Sequence, residues 1–207
     1  MKYIYYALLV SGLSILLIKR RQLDSRLQLF IPLLFLAIVT ELSFDYRKQF
    51  IVYHIYQWIE CGILCTYYYL LLGQSRYRSL ILLALLAYFC YFAAFFIRFP
   101  QKMFHYDPID FAAEAFFVTV FSLYYLVNLY RSGEEVNIRQ HPHFWIASGN
   151  LLFYSGALLF MCVAFPLMMK DKQWYVQLGT LVKFLNLVLY LIYIKAFLCR
   201  LQEKSLA

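Results

Sequence analysis

Long apolar runs follow one another through this chain with only short polar breaks between them. The runs are Tyr3–Ile18, Leu27–Phe44, Ile51–Leu72, Leu80–Ile97, Phe111–Tyr130, His143–Met169 and Tyr175–Cys199. The breaks are Lys19–Arg26, Asp45–Phe50, Gly73–Ser79, Arg98–Asp110, Arg131–Pro142 and Lys170–Trp174. A helix rises about 1.5 Å per residue, so roughly 20 apolar residues cross a hydrocarbon core of about 30 Å. Hydrocarbon offers no partner to backbone N–H and C=O groups, so such runs must be helical. A β-barrel would show short alternating segments instead. The expectation is an all-α, polytopic transmembrane helical bundle of about seven spans. It forms a single domain over residues 1–207, because no break can hold a soluble domain.

Composition supports this. The chain is 64% hydrophobic and 14% charged, against about 45–50% and about 25% in ordinary soluble domains. One soluble core cannot hide that excess, so it faces the lipid bilayer. The net charge of +8 is spread over the short breaks and forms no basic stripe, which argues against direct nucleic-acid binding. The charges Lys19-Arg20-Arg21 follow the first run. A cleavable signal peptide carries its charges before the apolar stretch, so the first run reads as a retained span.

Orientation follows from the distribution of Lys and Arg. One side collects Lys19, Arg20, Arg21, Arg26, Arg76, Arg78, Arg131, Arg139, Arg200 and Lys204; the other holds Lys2, Arg47, Lys48, Arg98, Lys102, Lys170 and Lys172. The first set is larger, which places the N-terminus outside and the C-terminus in the cytoplasm. Asp45–Phe50, Arg98–Asp110 and Lys170–Trp174 become outer loops. Pro142 begins the sixth span, where a missing N–H does no harm, while Pro32 and Pro166 lie within spans and are expected to kink them. Small residues Ala147-Ser148-Gly149 and Ser155-Gly156-Ala157 repeat on one face of the sixth span and predict close helix packing.

Ionisable groups within spans are expensive and are functional candidates by default. They are Glu41, His54, Glu60, Glu114 and Lys183. Glu41, His54 and Glu114 are expected near the outer surface. Glu60 and Lys183 lie deeper, at similar depths on different helices, so an ion pair between them is geometrically allowed. His54, Gln57 and Glu60 step along one face of the third span, and Asn186 follows Lys183 by one turn. Together these predict a polar seam in the outer half of the bundle among spans two, three, five and seven. Two readings stay open: a buried ion pair with interhelical hydrogen bonds, or a ligand or proton pocket open to the outside. Cys61 and Cys65 are one turn apart with no second Cys or His pair beside them, so they read as packed thiols and no metal site is expected.

Enzyme readings find little support, and no cofactor is expected. A seven-span zinc hydrolase needs several histidines in the bundle, but His54 alone lies within a span, with His105, His141 and His143 in breaks or at a helix start. Lys183 invites comparison with a retinal Schiff base, but the Asp that microbial rhodopsins carry a turn earlier is missing. No phosphate loop, nucleophile elbow or metalloprotease motif occurs.

Three stretches carry a resemblance: Ile55-Tyr56-Gln57-Trp58-Ile59-Glu60, Pro142-His143-Phe144-Trp145-Ile146-Ala147-Ser148-Gly149 leading into Phe153-Tyr154-Ser155-Gly156, and Lys183-Phe184-Leu185-Asn186-Leu187-Val188-Leu189-Tyr190-Leu191-Ile192-Tyr193. The chain resembles a group of seven-span membrane proteins of Bacteroidota, often encoded near sensor histidine kinases. A more distant similarity is to small multi-spanning accessory proteins of RNA-targeting CRISPR systems. The first resemblance implies a bacterial inner (cytoplasmic) membrane protein with a sensory role, and singles out Glu60, Pro142–Gly149 and Asn186. The expected function is therefore a non-enzymatic sensor or accessory protein. Its outer-half pocket, formed by Glu60, Lys183, His54, Gln57, Asn186, Glu41 and Glu114, would bind a ligand or proton. Its short cytoplasmic loops require a protein partner to transmit a signal. The alternative is an oligomeric channel or defence effector, a homo-oligomer with polar residues between subunits.

Overall fold

A computed structural model describes residues 2–43, 50–73, 78–101, 108–132, 140–168 and 172–199. Seven α-helices occupy them: α1 (Lys2–Lys19), α2 (Phe30–Ser43), α3 (Phe50–Leu71), α4 (Arg78–Arg98), α5 (Pro108–Arg131), α6 (Pro142–Met168) and α7 (Lys172–Leu198). Among the described residues there is no strand. Five helices, α1, α4, α5, α6 and α7, are long and apolar enough to cross a membrane. The chain is thus a multi-pass membrane helical bundle with extensive apolar surface against lipid. The expected outer loops lie largely outside the described residues.

The two other helices miss that standard for different reasons. α2 is short, because the start of its apolar run is taken up by a 3-10 turn at Leu27–Leu29. α3 has 22 residues, ample to cross at about 1.5 Å each, but its buried face is diluted with polar groups. That face is His54, Gln57, Cys61, Leu64, Cys65, Tyr67 and Tyr68.

Several helix ends fall beyond the apolar runs. Arg78 and Arg98 bound α4, and Pro108 begins α5, where its fixed φ suits the first turn. The stretch Pro108–Asp110, expected in an outer loop, is therefore helical. Pro32 sits in the first turn of α2 and Pro166 in the last turn of α6. Pro32 therefore costs α2 little, whereas Pro166 withdraws one N–H from the carbonyl four residues earlier, inside α6. Gly73, with φ of 58°, takes the left-handed conformation that follows a helix end without steric penalty.

Contacts close a ring in the order α1, α2, α3, α5, α6, α7 and back to α1, and α4 flanks α3 and α5 from outside. α6 packs most extensively, first on α7 and then on α5. The small-residue stripe explains this. A Cβ on Gly149 would stand 3.0 Å from Ile192 Cγ2, and one on Gly156 would stand 2.6 Å from Leu185 Cδ1. Leu185, Leu189 and Ile192 therefore lie almost on the α6 backbone, as small-residue faces permit in membranes.

Gly149→Leu is expected to destabilise the bundle by about 1–3 kcal/mol, because Ile192 is stiff at χ1. Gly156→Ala should have a smaller effect, because Leu185 Cδ1 ends a rotatable side chain. Detergent-unfolding midpoints test this, and an unchanged midpoint for Gly149→Leu would contradict so close an α6–α7 approach.

Candidate functional site

The polar interior is organised in three separate groups along the bundle. The first surrounds Asp110, the third residue of α5, which is fully buried. Its Oδ2 meets His54 Nδ1 at 3.2 Å and accepts the Trp58 indole N–H at 3.2 Å. Its Oδ1 accepts the Tyr88 hydroxyl at 2.5 Å. A carboxylate only accepts, so the ionised form of Asp110 requires Nδ1–H on His54. One α5 side chain thereby holds α3 and α4 together. His54 and Trp58 reach it jointly because they sit one turn apart on α3.

One turn along α5 is Glu114, also fully buried, with Gln57 of α3 nearby. Both oxygens of Glu114 and both amide atoms of Gln57 are buried without a partner in hydrogen-bond geometry. Glu60 follows on α3, half-buried, and accepts the Tyr154 hydroxyl from α6 at 3.2 Å. Three acids and one imidazole thus share this part of the bundle. Among the described residues no Lys or Arg is buried.

The second group is a saturated lock. Tyr193 of α7 donates to Asn150 Oδ1 at 2.5 Å, and Asn150 Nδ2 donates to the Tyr68 hydroxyl at 2.9 Å. Ser122 donates to the Val118 carbonyl at 2.6 Å. Tyr68 therefore donates to Ser122, at 2.6 Å. Four helices are joined, and the run of donors ends on a backbone carbonyl.

The third group reaches the surface at the loop between α1 and α2. Tyr67 meets His143 Nδ1 at 2.9 Å, and His143 Nε2 meets Asp24 Oδ2 at 3.1 Å. A neutral imidazole protonated on Nε2 satisfies both, donating to Asp24 and accepting from Tyr67. Asp24 is fixed locally as well: its Oδ1 accepts the Arg26 N–H at 3.2 Å. That two-residue reach is an Asx turn, and it starts the 3-10 turn into α2. The hydrogen bond from His143, aided by the Arg26 N–H and nearby positive charge, holds the Asp24 carboxyl well below the usual carboxylate range.

Several sequence expectations need correction. Glu60 and Lys183 form no ion pair: Lys183 lies on an exposed face of α7, while Glu60 turns inward to Tyr154. Equal depth on two helices fixed height but not rotation about the helix axis. Glu114, expected near the outer surface, is enclosed within the bundle six residues into α5. Asn186 is half-buried and meets Tyr5, a hydroxyl that also lies within reach of the Glu41 and Glu60 charges. Glu41 is half-buried in the last turn of α2, where its carbonyl accepts the Tyr6 hydroxyl at 3.4 Å. His54, Gln57 and Glu114 do come together, with α5 and not α7 opposite α3.

Sequence reasoning missed Asp110, Trp58, Tyr88, Asp24 and His143 as members of polar groups. Asp110 had one usable signal, its four-residue spacing from Glu114, which puts both on one face if the helix begins at Pro108. Comparison with protein-family models, with characterised proteins and with solved structures finds no match.

The depressed Asp24 carboxyl gives a signed expectation. Its stabilising contribution is present above the ordinary carboxyl value of about 4 and is lost as pH falls below it. Asp24→Asn should therefore lower the thermal midpoint at about pH 7, and the gap to the parent should close below about pH 4. Thermal melts at the two pH values decide it, and equal midpoints at neutral pH would contradict the Asp24–His143 interaction.

Proposed function

We propose that this chain is a small bacterial inner-membrane sensor or accessory protein that takes up a proton at Glu114 and acts through a protein partner. The observation that carries the reading is the Gln57–Glu114 pair: four fully enclosed polar atoms that face only each other and make no hydrogen bond of good geometry. An unpaired carboxylate in such a place is prohibitive, and Asp110 already engages the one imidazole of this region. Charge balance in this acid group therefore calls for a bound proton, and Gln57 has both a donor and an acceptor to orient the protonated carboxyl or a water on it.

The proposed arrangement has seven spans, with the N-terminus outside and the C-terminus in the cytoplasm. The alternation needed for it agrees with two contacts. His54 to Asp110 joins the starts of α3 and α5, and Asp24 to His143 joins the loop after α1 to the start of α6. The acid group then lies toward the outer side, and the Asp24–His143 contact faces the cytoplasm beside the cationic loop, where a partner would dock. This fits the resemblance to seven-span proteins encoded near histidine kinases.

Two features support proton binding over a through-going channel. The polar groups lie inside one bundle and not on an outer face that a second subunit would line. The central lock, moreover, runs through an Asn amide and ends on a carbonyl, which makes it a poor proton conductor.

Infrared spectroscopy of the protein in nanodiscs tests the reading. A protonated-carboxyl band is expected to change between about pH 4 and 9, and Glu114→Gln should remove that component while Glu41→Gln leaves it. A parent spectrum with no titrating carboxyl band would overturn the proposal.

A further inference from the structure

A groove of about 440 Å³ runs along the lipid-facing side between α3 and α4, open to the surface. Its floor is Gly62, flanked by Ile55, Ile59 and Ile63 of α3 and by Leu85 and Phe89 of α4. The groove exists because α4 stands outside the ring and Gly62 brings no side chain. A Cβ there would meet only the Phe89 ring, at an ordinary 3.6 Å. The two polar side chains on its wall are both satisfied elsewhere. Thr66 donates to the Gly62 carbonyl at 2.7 Å, and the Trp58 N–H is committed to Asp110. The occupant along this stretch must therefore be apolar.

The groove's length and its cationic end narrow the choice. From Ile55 to Thr66 it runs about 16 Å along α3, close to half of a hydrocarbon core of about 30 Å. That is about the length of one extended acyl chain. One turn beyond Thr66 the Arg78 guanidinium lies 3.8 Å over the Tyr69 ring, and its buried Nε has no acceptor. Arg78 is also the first residue of α4, whose first-turn N–H groups have no partner within the helix. A tail-length apolar groove ending at an Arg that lacks an anion matches a lipid carrying a phosphate. Arg26, on the segment that leads into the groove-lining Leu29, adds charge of the same sign.

We infer that this groove is a binding site for one anionic phospholipid, its acyl chain along Gly62 and its phosphate on Arg78. The inference rests on the membrane assignment and not on proton uptake at Glu114. Because Trp58 both lines the groove and donates to Asp110, the lipid touches the hub that joins α3, α4 and α5.

Trp58 reports directly. In a Trp145→Phe, Trp174→Phe background it is the sole tryptophan, since the chain has 3. Nanodiscs of phosphatidylcholine would carry a matched small fraction of brominated-chain phosphatidylglycerol or brominated-chain phosphatidylcholine. The anionic lipid is expected to quench Trp58 with about fivefold tighter apparent binding. Arg78→Gln should abolish that difference, and Gly62→Leu should reduce quenching by both lipids. Equal quenching by the two lipids in the parent, or a preference that survives Arg78→Gln, would overturn the inference. Native mass spectrometry of the parent provides a measurement independent of the variants: one retained phosphatidylglycerol supports the site, and none from an equimolar lipid mixture counts against it.

Discussion

The carboxyl of Asp110 is the point on which the α3–α4–α5 side of the bundle depends. Hydrocarbon cannot solvate a polar group, so each one inside the bundle must be matched by another. Asp110 gathers His54, Trp58 and Tyr88 from two neighbouring helices. α4 meets the ring only at its edge and is otherwise wrapped in lipid-facing leucines such as Leu83 and Leu86. Apolar contact gives such a helix little reason to prefer the protein to lipid, since lipid tails are as apolar as leucine. The Tyr88 hydroxyl supplies a directional reason, and it sets the height of α4 against α5.

The opposite side of the bundle is held by a different device. Gly149 and Gly156 let Ile192 and Leu185 approach the α6 backbone, and dispersion contacts replace hydrogen bonds as the source of attraction. The Tyr193–Asn150–Tyr68–Ser122 lock then fixes the register of α3, α5, α6 and α7. Each of its polar side-chain atoms has a partner, so it specifies structure. The Gln57–Glu114 pair differs in this respect: its polar atoms are as deeply enclosed but unspent. Within one bundle, saturation separates groups that hold the fold from a group left able to bind something.

Both the proton site and the lipid groove lie on α3, on different faces. Its inward face carries Gln57, and its outward face carries Gly62 and Ile59. Trp58 lies between them and belongs to both. This is why α3 looks less apolar than the other long helices: much of its polarity is turned inward, and it still presents Ile55 and Ile59 to lipid.

By itself the sequence determined that this chain is helical and crosses a membrane several times, because apolar length and charged breaks are local properties that hydrocarbon reads directly. It also marked His54, Gln57 and Glu114 as polar groups inside spans, and the small-residue face of α6 as a packing surface. The partners were another matter. Glu60 and Lys183 were level with each other, yet α7 turns Lys183 outward and α3 turns Glu60 toward Tyr154. Asp110 lay in an apparent loop until α5 was seen to begin at Pro108. Asp24 and His143 are 119 residues apart and meet only because two helix ends share one side of the bundle. Depth is written in the spacing along one helix, but rotation about the axis and choice of neighbour depend on all seven helices at once, and only the tertiary structure decided them.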